Sequence, residues 1–267
     1  MQTARSEEML RSLYTGWTGL RNEQRRMDVV TNNMANADTT GFKKVDVTSQ
    51  SFDRQLAVKI NDYTEGANVI RGIGGVTLGV KIGETYYDMS QGNFRETGNM
   101  YNMALSGRGF FTISMTDKSG NEHIRYTRDG DFTITKDGYL VTKDGDYVLG
   151  EGNNRIQIPG AATQEISVNE QGEIYAGNDY IATLALVDFE SYDFLSSYGE
   201  NLYDAVEGAT MIEADATVNQ GMLEMSNVNM VTEMVDMIAI TRAYETNQKM
   251  VQTVDRTLER AVNIGKV

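Results

Sequence analysis

Side chains that could support catalysis or metal binding are scarce in this sequence. His123 is the only histidine among 267 residues, and we identify no partners with which it would form a triad or a metal site. Asp144-Gly145-Asp146 is similar to the start of a calcium loop, but the twelfth position from Asp144 is Arg155, not a bidentate glutamate. Gly107-Arg108-Gly109 lacks the third glycine of a dinucleotide loop. We therefore expect a surface position for His123, a turn at 144–146, and no catalytic residue, metal or cofactor.

Composition excludes several classes of protein. The net charge of −14 is the opposite of the basic footprint that a nucleic-acid binder needs, so we expect no nucleic-acid partner. There is no cysteine, which excludes disulfides, thiol nucleophiles and iron–sulfur sites. No apolar run reaches about 18 residues, and the opening sequence MQTARSEEMLRS has glutamates where a secretory leader is apolar. We therefore expect no transmembrane segment and no cleaved signal peptide.

The sequence predicts a long helix at each end of the chain and a strand-rich middle, and these elements must position the side chains. The first segment, about residues 5–36, has a three-four spacing that predicts a helix with a heptad seam. Gly16 and Gly19 should weaken this helix locally. It ends in the turn-forming residues 36–41, with Gly41 as the expected cap. The seam contains Leu10, Leu13, Trp17, Leu20, Gln24, Met27, Thr31 and Met34.

A second helical segment, about residues 227–262, repeats this pattern, and Ser226 or Asn227 is its expected N-cap. Neither helix could bury its stripe alone, so we expect an antiparallel, coiled-coil-like pair with Trp17 as the largest anchor. A methionine stripe that fills the core of a monomer is an equal alternative on this pattern alone. The stripe contains Met230, Met234, Met237, Thr241, Tyr244, Gln248, Val251, Asp255, Leu258 and Val262, and is widened by Val231, Val235, Ile238 and Val254.

The middle of the chain changes to a period of two and predicts an antiparallel β domain of about eight strands over residues 104–204. Asp137-Gly138, Asp144-Gly145 and the segment 169–172 are the expected hairpin turns. Residues 42–103 are expected to be an extended connector, glycine-rich from Gly66 to Gly83, and residues 205–226 a return connector. The fold class is therefore α+β. The repeated Asp-Gly phrases also leave open a β-solenoid.

Several phrases resemble those of the flagellar rod and hook proteins. NNMANADTTGFKK (32–44) resembles the end of the family's N-terminal helix, and residues 226–255 resemble its C-terminal helix through SNVN, EMVDMI and RAYETN. QGNFRETGN (91–99), LSGRGFF (105–111) and YTRDGDF (126–132) resemble phrases of its middle domain. The residues that match the family motifs are Asn33, Asn36, Gly41, Phe42, Asn227, Arg242, Ala243, Tyr244 and Glu245.

The resemblance implies a structural subunit, not an enzyme, that polymerises into a helical tube with its terminal helices (1–41 and 227–267) inside and its β domain outside. It implies as partners further copies, other rod and hook proteins, ring bushings around the rod and the flagellar type III export apparatus. The expected packing residues are Leu13, Trp17, Leu20, Met27, Met34, Met230, Met234, Met237, Tyr244, Val251 and Leu258.

Within the family, the length and the connector are most like the distal rod subfamily, in which an insert at this place is linked to a stiff rod. Thr241 stands where the family usually has glutamine, and the connector is proline-free. These departures leave open the related proximal rod subfamily. The sequence also leaves open a scaffold that binds the flagellar axis without polymerising, and an extracellular β-domain enzyme or carbohydrate-binding module.

Overall fold

The computed structural model describes residues 2–53, 55–59, 71–116, 120–159, 166–199 and 201–264. The chain divides into two compact units. The helical unit comprises Met1–Asn32, Val45–Tyr86 and Val231–Val267, and the β unit comprises Asn33–Lys44 and Tyr87–Met230. Two terminal helices and an antiparallel, strand-rich middle confirm the predicted α+β class.

The helical unit is built from the two helices and four strands. Helix α1 spans Gln2–Ala35 and α2 spans Met230–Ile264. The strands are β1 (Val45–Ser51), β2 (Gln55–Lys59), β3 (Arg71–Val76) and β4 (Val80–Tyr87). Strand β1 pairs with β4, and β2 with β3, so the predicted connector contains two small sheets. Gly66 of the glycine-rich segment lies outside the described residues.

The two helices contact each other where the first one carries glycine. A β-carbon placed on Gly16 would lie 2.8 Å from Cγ2 of Val251, and one on Gly19 would lie 2.9 Å from Nδ2 of Asn247. The later residue of α1 faces the earlier residue of α2, so the helices run antiparallel at this contact. The sequence indicates these glycines only as weak points of a helix. In the structure, the two helices can approach each other closely because Gly16 and Gly19 have no side chain.

Helix α1 also packs against the strands through small and polar residues. Thr18 is buried against Gly79, which has a φ of +120° and whose absent β-carbon would overlap Oγ1 of Thr18. The Asn22 Nδ2 donates to Oγ of Ser49 at 3.0 Å. Trp17, the expected anchor, is 51% exposed, so the prediction that it is the largest buried contact is wrong for the single chain. Coiled-coil-like packing of the two seams stays a prediction.

Helix α2 presents apolar residues on two opposite faces. The inner face includes Ile240, which is 2% exposed, together with the half-buried Met237, Tyr244, Val251 and Leu258. The other face is exposed. The helix begins at Met230, so the prediction that Ser226 or Asn227 is its N-cap is wrong. Their side chains bind elsewhere, as the next subsection describes.

The β unit is an assembly of short antiparallel strands. A ten-stranded sheet has the order β17-β18-β8-β7-β11-β10-β9, with β16 beside β7, β19 beside β16 and β12 beside β11. A three-stranded sheet has the order β13-β14-β15, and two pairs are β20-β6 and β21-β5. The strands are β5 (Phe94–Glu96), β6 (Met103–Gly107), β7 (Phe110–Thr116), β8 (Glu122–Thr127), β9 (Phe132–Ile134), β10 (Leu140–Thr142), β11 (Tyr147–Gly150), β12 (Asn154–Arg155), β13 (Ile166–Val168), β14 (Glu173–Ala176), β15 (Asp179–Thr183), β16 (Leu186–Phe189), β17 (Leu195–Ser197), β18 (Leu202–Ala205), β19 (Met211–Glu213), β20 (Ala216–Gln220) and β21 (Met222–Glu224).

The predicted hairpin turns lie where the sequence indicates. Gly138 joins β9 to β10 with a φ of +83°, Gly145 joins β10 to β11 with +94°, and Gly172 joins β13 to β14 with +84°. Positive φ values of this kind are the reason for glycine at these turns. The turn at 144–146 is therefore confirmed, and His123 is exposed as predicted.

The predicted return connector is an integral part of the β unit. Strand β20 pairs along its whole length with β6, which places Val218 opposite Leu105. Both side chains are buried in the main core, beside Phe111, Ile113 and Leu140. Periodicity does not identify β20 because it is a five-residue strand whose partner lies more than a hundred residues away in the sequence.

Candidate functional site

The motif segments of the sequence meet at one place in the β unit, here called the junction. It is formed by residues 41–44, which follow α1, residues 88–93, residues 105–107, residues 128–129 and residues 224–227, which precede α2. These segments include parts of all five phrases that carry the family resemblance. The junction therefore explains why phrases so far apart in the chain belong to one pattern.

Three buried charges form the centre of the junction. Lys43 donates through Nζ to Oε1 of Glu224 at 2.6 Å, and Arg128 donates through Nη1 to Oε2 of Glu224 at 3.4 Å. The side chains of Lys43, Glu224 and Arg128 are 1%, 0% and 4% exposed. One carboxylate thus lies between two cations, with almost no access to water. An arrangement of this kind is strongly destabilised when one member is removed, since a buried charge is then left uncompensated.

Main-chain groups also form hydrogen bonds with these charges. Lys43 donates to the Ser90 carbonyl at 2.8 Å, and the Gly92 amide donates to Oε1 of Glu224 at 3.0 Å. Arg128 donates through Nη2 to the Gly107 carbonyl at 2.7 Å. Burial lowers the pKa of Lys43 and is opposed by the attraction of Glu224. The hydrogen bonds therefore tie the charged residues to loops of the β unit that are distant from them in the sequence.

Gly41 is required by the geometry of the junction and does not cap the helix. Its φ is +68°, its amide donates to the Glu224 carbonyl at 2.9 Å, and a β-carbon there would lie 2.7 Å from the carbonyl carbon of Arg128. The predicted helix-cap role is wrong, because α1 has already ended at Ala35. Left-handed backbone and contact with another main chain both favour glycine at this position.

Asn227 connects the two chain segments that lead to the helices. Its Oδ1 accepts from the Lys44 amide at 2.7 Å, and its Nδ2 donates to the Asp88 carbonyl at 2.8 Å and to Oγ of Ser90 at 3.0 Å. Neighbouring Ser226 accepts from the Val228 amide at 3.2 Å through Oγ. The side chain of Asn227 therefore links the segment at Lys44 to the segment at Asp88 and Ser90, and it does not cap α2.

The remaining N-terminal motif residues are buried beside this cluster. Asn33 is completely buried, and Asn36 and Phe42 are almost so. Asn36 accepts from Oγ1 of Thr39 at 3.0 Å, which stabilises the turns that follow α1. Asp129, next to Arg128, has a pKa raised by burial, and it accepts from Nδ2 of Asn201 at 3.0 Å.

The structure brings together only part of the predicted residue set. Asn33, Asn36, Gly41, Phe42 and Asn227 lie in the segments of the β unit just described. The other motif residues lie on α2 in the helical unit, with Arg242 and Glu245 exposed and Ala243 and Tyr244 half-buried.

Three residues at the centre of the junction are not among the predicted site residues, namely Lys43, Arg128 and Glu224. Lys43 and Arg128 do occur inside the quoted phrases GFKK and YTRDGDF. No local pattern distinguishes Lys43 or Arg128 from the neighbouring charges Lys44 and Asp129, and Glu224 lies outside these phrases.

The polar side chains of the junction form hydrogen bonds with one another and with main-chain groups. Among the described residues, no three histidine, cysteine or acidic side chains lie close enough together to hold a metal ion. None of the helices that the structure describes has a stretch both long and apolar enough to span a bilayer. What the arrangement does chemically is to compensate and immobilise buried charge.

Comparison with protein families gives three matches along the chain. The family described as "Flagella basal body rod protein" matches residues 13–43, and "Flagellar hook protein FlgE/F/G D1 domain" matches residues 104–176. The family described as "Flagellar basal body rod FlgEFG protein C-terminal" matches residues 219–264. All three descriptions are of flagellar rod or hook proteins, which confirms the resemblance found in the sequence.

Individual relatives match over nearly the whole chain. The flagellar basal-body rod protein FlgG of Bacillus subtilis (strain 168) is 32% identical over 273 residues, covering 97% of this chain and all of that protein. FlgG of Borreliella burgdorferi is 34% identical over 97% of this chain, and the rod protein FlgF of Caulobacter vibrioides is 33% identical over 96%. The chain belongs to the family of flagellar basal-body rod proteins.

Proposed function

We propose that this chain is a structural subunit of the bacterial flagellar basal-body rod, which polymerises with copies of itself into the axial tube. The observation that carries the proposal is the similarity to rod proteins along both terminal helices and the β unit, over 97% of the chain. The tube would transmit torque and conduct exported subunits through its bore.

The terminal helices are the proposed inner wall of this tube. The predicted heptad seam and methionine stripe would complete coiled-coil-like packing with neighbouring copies. Trp17 is exposed in the single chain, and Leu13, Leu20 and Met27 are only half-buried, so apolar surface remains for that purpose. The proposed packing set is completed by Met34, Met230, Met234, Met237, Tyr244, Val251 and Leu258.

The junction would hold the two chain segments that connect the β unit to the helices. It fixes the segment that leaves α1 and the segment that enters α2 to one buried charge cluster. We propose that this is why the family motifs are concentrated here, and that the β unit forms the outer part of the rod.

The proposed location and partners follow from the function. The subunit would reach the basal body through the flagellar type III export apparatus, without a cleaved signal peptide. It would contact other rod and hook proteins and ring bushings around the rod. Since the bore passes unfolded subunits, a wall of helices has the advantage that it exposes no sheet edge to them.

The distal rod subfamily is the proposed assignment within the family. Length and the segment after Phe42 favour it, and FlgG relatives match the chain over almost all of their length. The similarity to FlgF of Caulobacter vibrioides supports the second candidate, a closely related proximal rod subunit. A scaffold that binds the axis without polymerising is the remaining candidate.

Removal of either helix tests the proposal. We expect cells whose only copy lacks residues 2–31 or residues 232–264 to assemble no rod and to be non-motile, while the β unit of the purified variant still unfolds cooperatively. The unaltered chain, restored to the same deletion strain, is the control and should return motility. A motile strain carrying only a truncated chain would contradict the proposal.

A further inference from the structure

The β unit contains three Asp-Gly pairs, at 129–130, 137–138 and 144–145, and the chain has no Asn-Gly pair. The main chain rearranges more readily at Asp-Gly than at other aspartate positions, because glycine has no side chain to hinder its amide nitrogen. The three pairs share the same two residues, so any difference in their reactivity in the folded protein must come from their surroundings.

The rearrangement proceeds by the loss and return of one water molecule. The glycine amide nitrogen attacks the side-chain carboxyl carbon of the aspartic acid, an N–C bond forms, and the amide proton leaves with the carboxyl hydroxyl as water. Water then opens the resulting five-membered succinimide at either of its two carbonyls. One opening restores aspartate, and the other leaves the chain linked through the side-chain carboxyl as isoaspartate. No oxidant or other reactant is needed.

The first pair, Asp129-Gly130, is held on both sides. The Asp129 carboxylate accepts from the Asp131 amide at 3.1 Å and from Nδ2 of Asn201 at 3.0 Å. Gly130 is buried, its carbonyl accepts from the Met103 amide at 3.0 Å, and a β-carbon on it would overlap the Met103 carbonyl. Ring closure at this pair therefore requires the core of the β unit to open.

The second pair, Asp137-Gly138, is exposed at the aspartate but held along its main chain. The Asp137 carbonyl, which belongs to the peptide bond that must rotate, accepts from Nε2 of Gln157 at 3.0 Å. The Gly138 carbonyl accepts from the Ile158 amide at 2.7 Å, and a β-carbon on Gly138 would lie 2.7 Å from the Ile158 carbonyl oxygen. Ring closure here requires the turn to separate from the neighbouring segment.

The third pair, Asp144-Gly145, lies open at the turn between β10 and β11. Both residues are exposed, and a β-carbon on Gly145 would meet nothing within 4 Å. Within the part of the chain that the structure describes, the Asp144 carboxylate has no hydrogen bond or ion pair. The Gly145 amide donates to the Thr142 carbonyl at 3.1 Å, which is a bond of the turn itself. A fluctuation confined to this turn is therefore enough for ring closure, and such local openings cost far less than opening of a core.

We propose that Asp144 is a site of spontaneous modification in the folded chain, where it converts to isoaspartate while the contacts of Asp129 and Asp137 protect those residues. The product keeps its negative charge and adds one carbon to the main chain in the turn. Strands β10 and β11 are joined there, with Val141 opposite Tyr147, so the change acts on this hairpin and leaves the other two turns unaltered. This chemistry is independent of the proposed rod function.

Prolonged incubation of the full-length protein, folded in one sample and unfolded in guanidinium in another, tests the proposal. A glutamate-specific protease releases residues 123–151 as one peptide that contains all three pairs, and electron-transfer fragmentation locates isoaspartate within it. In the folded sample we expect at least tenfold more isoaspartate at Asp144 than at Asp137, and none at Asp129. In the unfolded sample the three positions should react at similar rates. Similar rates at all three positions of the folded protein would overturn the proposal, as would the same ranking in both samples.

Two matched variants give an independent readout by isoaspartyl methyltransferase, which transfers methyl groups to isoaspartate. Glutamate forms the corresponding six-membered ring much less readily, so Asp144→Glu should remove most of the methyl acceptance that the folded protein gains on incubation. Asp137→Glu, at the exposed aspartate of the neighbouring turn, is the control and should retain it. Loss of methyl acceptance in Asp137→Glu but not in Asp144→Glu would contradict the assignment, and so would a folded parent protein that gains none.

Discussion

Lys43 and Glu224 lie 181 positions apart in the sequence, and their side chains meet at 2.6 Å with almost no exposure to solvent. The first residue follows the N-terminal helix and the second precedes the C-terminal helix. Their ion pair therefore joins two segments of the β unit close to the points where the chain leaves it. Burial of ions is costly, so removal of either Lys43 or Glu224 would leave a buried charge without compensation.

Neutralising Glu224 should strongly destabilise the β unit. Glu224→Gln keeps the size of the side chain but leaves Lys43 and Arg128 buried without a counter-charge. We expect a loss of about 3–5 kcal/mol in the free energy of unfolding, measured by urea denaturation of the full chain. Glu213→Gln, at an exposed position of β19, is the matched control and should change this free energy by less than about 0.5 kcal/mol. Equal effects of the two substitutions would show that the junction charges are not coupled.

The local structure of this chain can be predicted from its sequence, whereas the contacts of the junction cannot. The two helices, the Asp-Gly turns and the alternating strands each depend on neighbouring residues, so periodicity and turn chemistry predict them. The contact of Lys43 with Glu224 depends on chain topology, which no local pattern contains. Likewise, the local sequence around Gly41 is typical of a helix cap. Only the fold shows that glycine is needed there because a β-carbon would lie too close to the backbone of Arg128.

The helix seams show a second limit of prediction from sequence. The spacing of Leu13, Trp17, Leu20 and Met27 indicates an apolar stripe but does not say what covers it. In the single chain α1 instead packs through Gly16, Thr18 and other small residues, so Trp17 stays exposed. A pattern of apolar residues thus indicates a surface whose burial is favourable. It does not distinguish a contact within one chain from a contact between chains.

Replacement of Gly41 should separate backbone strain from close packing. Gly41 and Gly98 have nearly the same φ, +68° and +67°, but only Gly41 would place a β-carbon against another main chain. Gly98→Ala should cost roughly 1 kcal/mol, the strain of a left-handed alanine. Gly41→Ala should cost clearly more, because the Arg128–Asp129 backbone must also move. Urea denaturation of both variants gives the comparison, and equal costs would mean that the junction tolerates the added methyl group.

The boundaries of an independently folding fragment should include strands outside residues 104–204. That span lacks β20, whose Val218 belongs to the main core, and it lacks both Lys43 and Glu224. We expect a fragment of residues 33–230 to unfold cooperatively in urea, followed by far-ultraviolet circular dichroism. A fragment of residues 104–204 should unfold with little cooperativity and bind a hydrophobic dye. A sharp, reversible transition for the shorter fragment would show that β20 is dispensable.

Stability in alkali should depend on Tyr203, which is buried between other aromatic rings of the β unit. Its ring packs edge-on against Tyr87 at 5.8 Å and against Phe110 at 5.5 Å, and burial raises its pKa well above the ordinary value of 10. A group whose pKa is higher in the folded state holds its proton more tightly there. Its contribution to stability is therefore complete below pH 10 and is lost as the pH rises through the folded-state value.

Tyr203→Phe should accordingly reduce the fall in stability above pH 10. Each pH unit in that range removes up to about 1.36 kcal/mol from the free energy of unfolding for one such group. We expect the variant to have a shallower slope than the parent between about pH 10 and pH 11.5, measured by urea denaturation at constant ionic strength, whatever its stability at pH 7. Subtracting the parent curve cancels the contributions of other titrating groups. Tyr198→Phe, at an exposed position of the same unit, is the control and should keep the parent slope. Parallel curves for Tyr203→Phe and the parent would show that the Tyr203 hydroxyl gains access to water before it ionises.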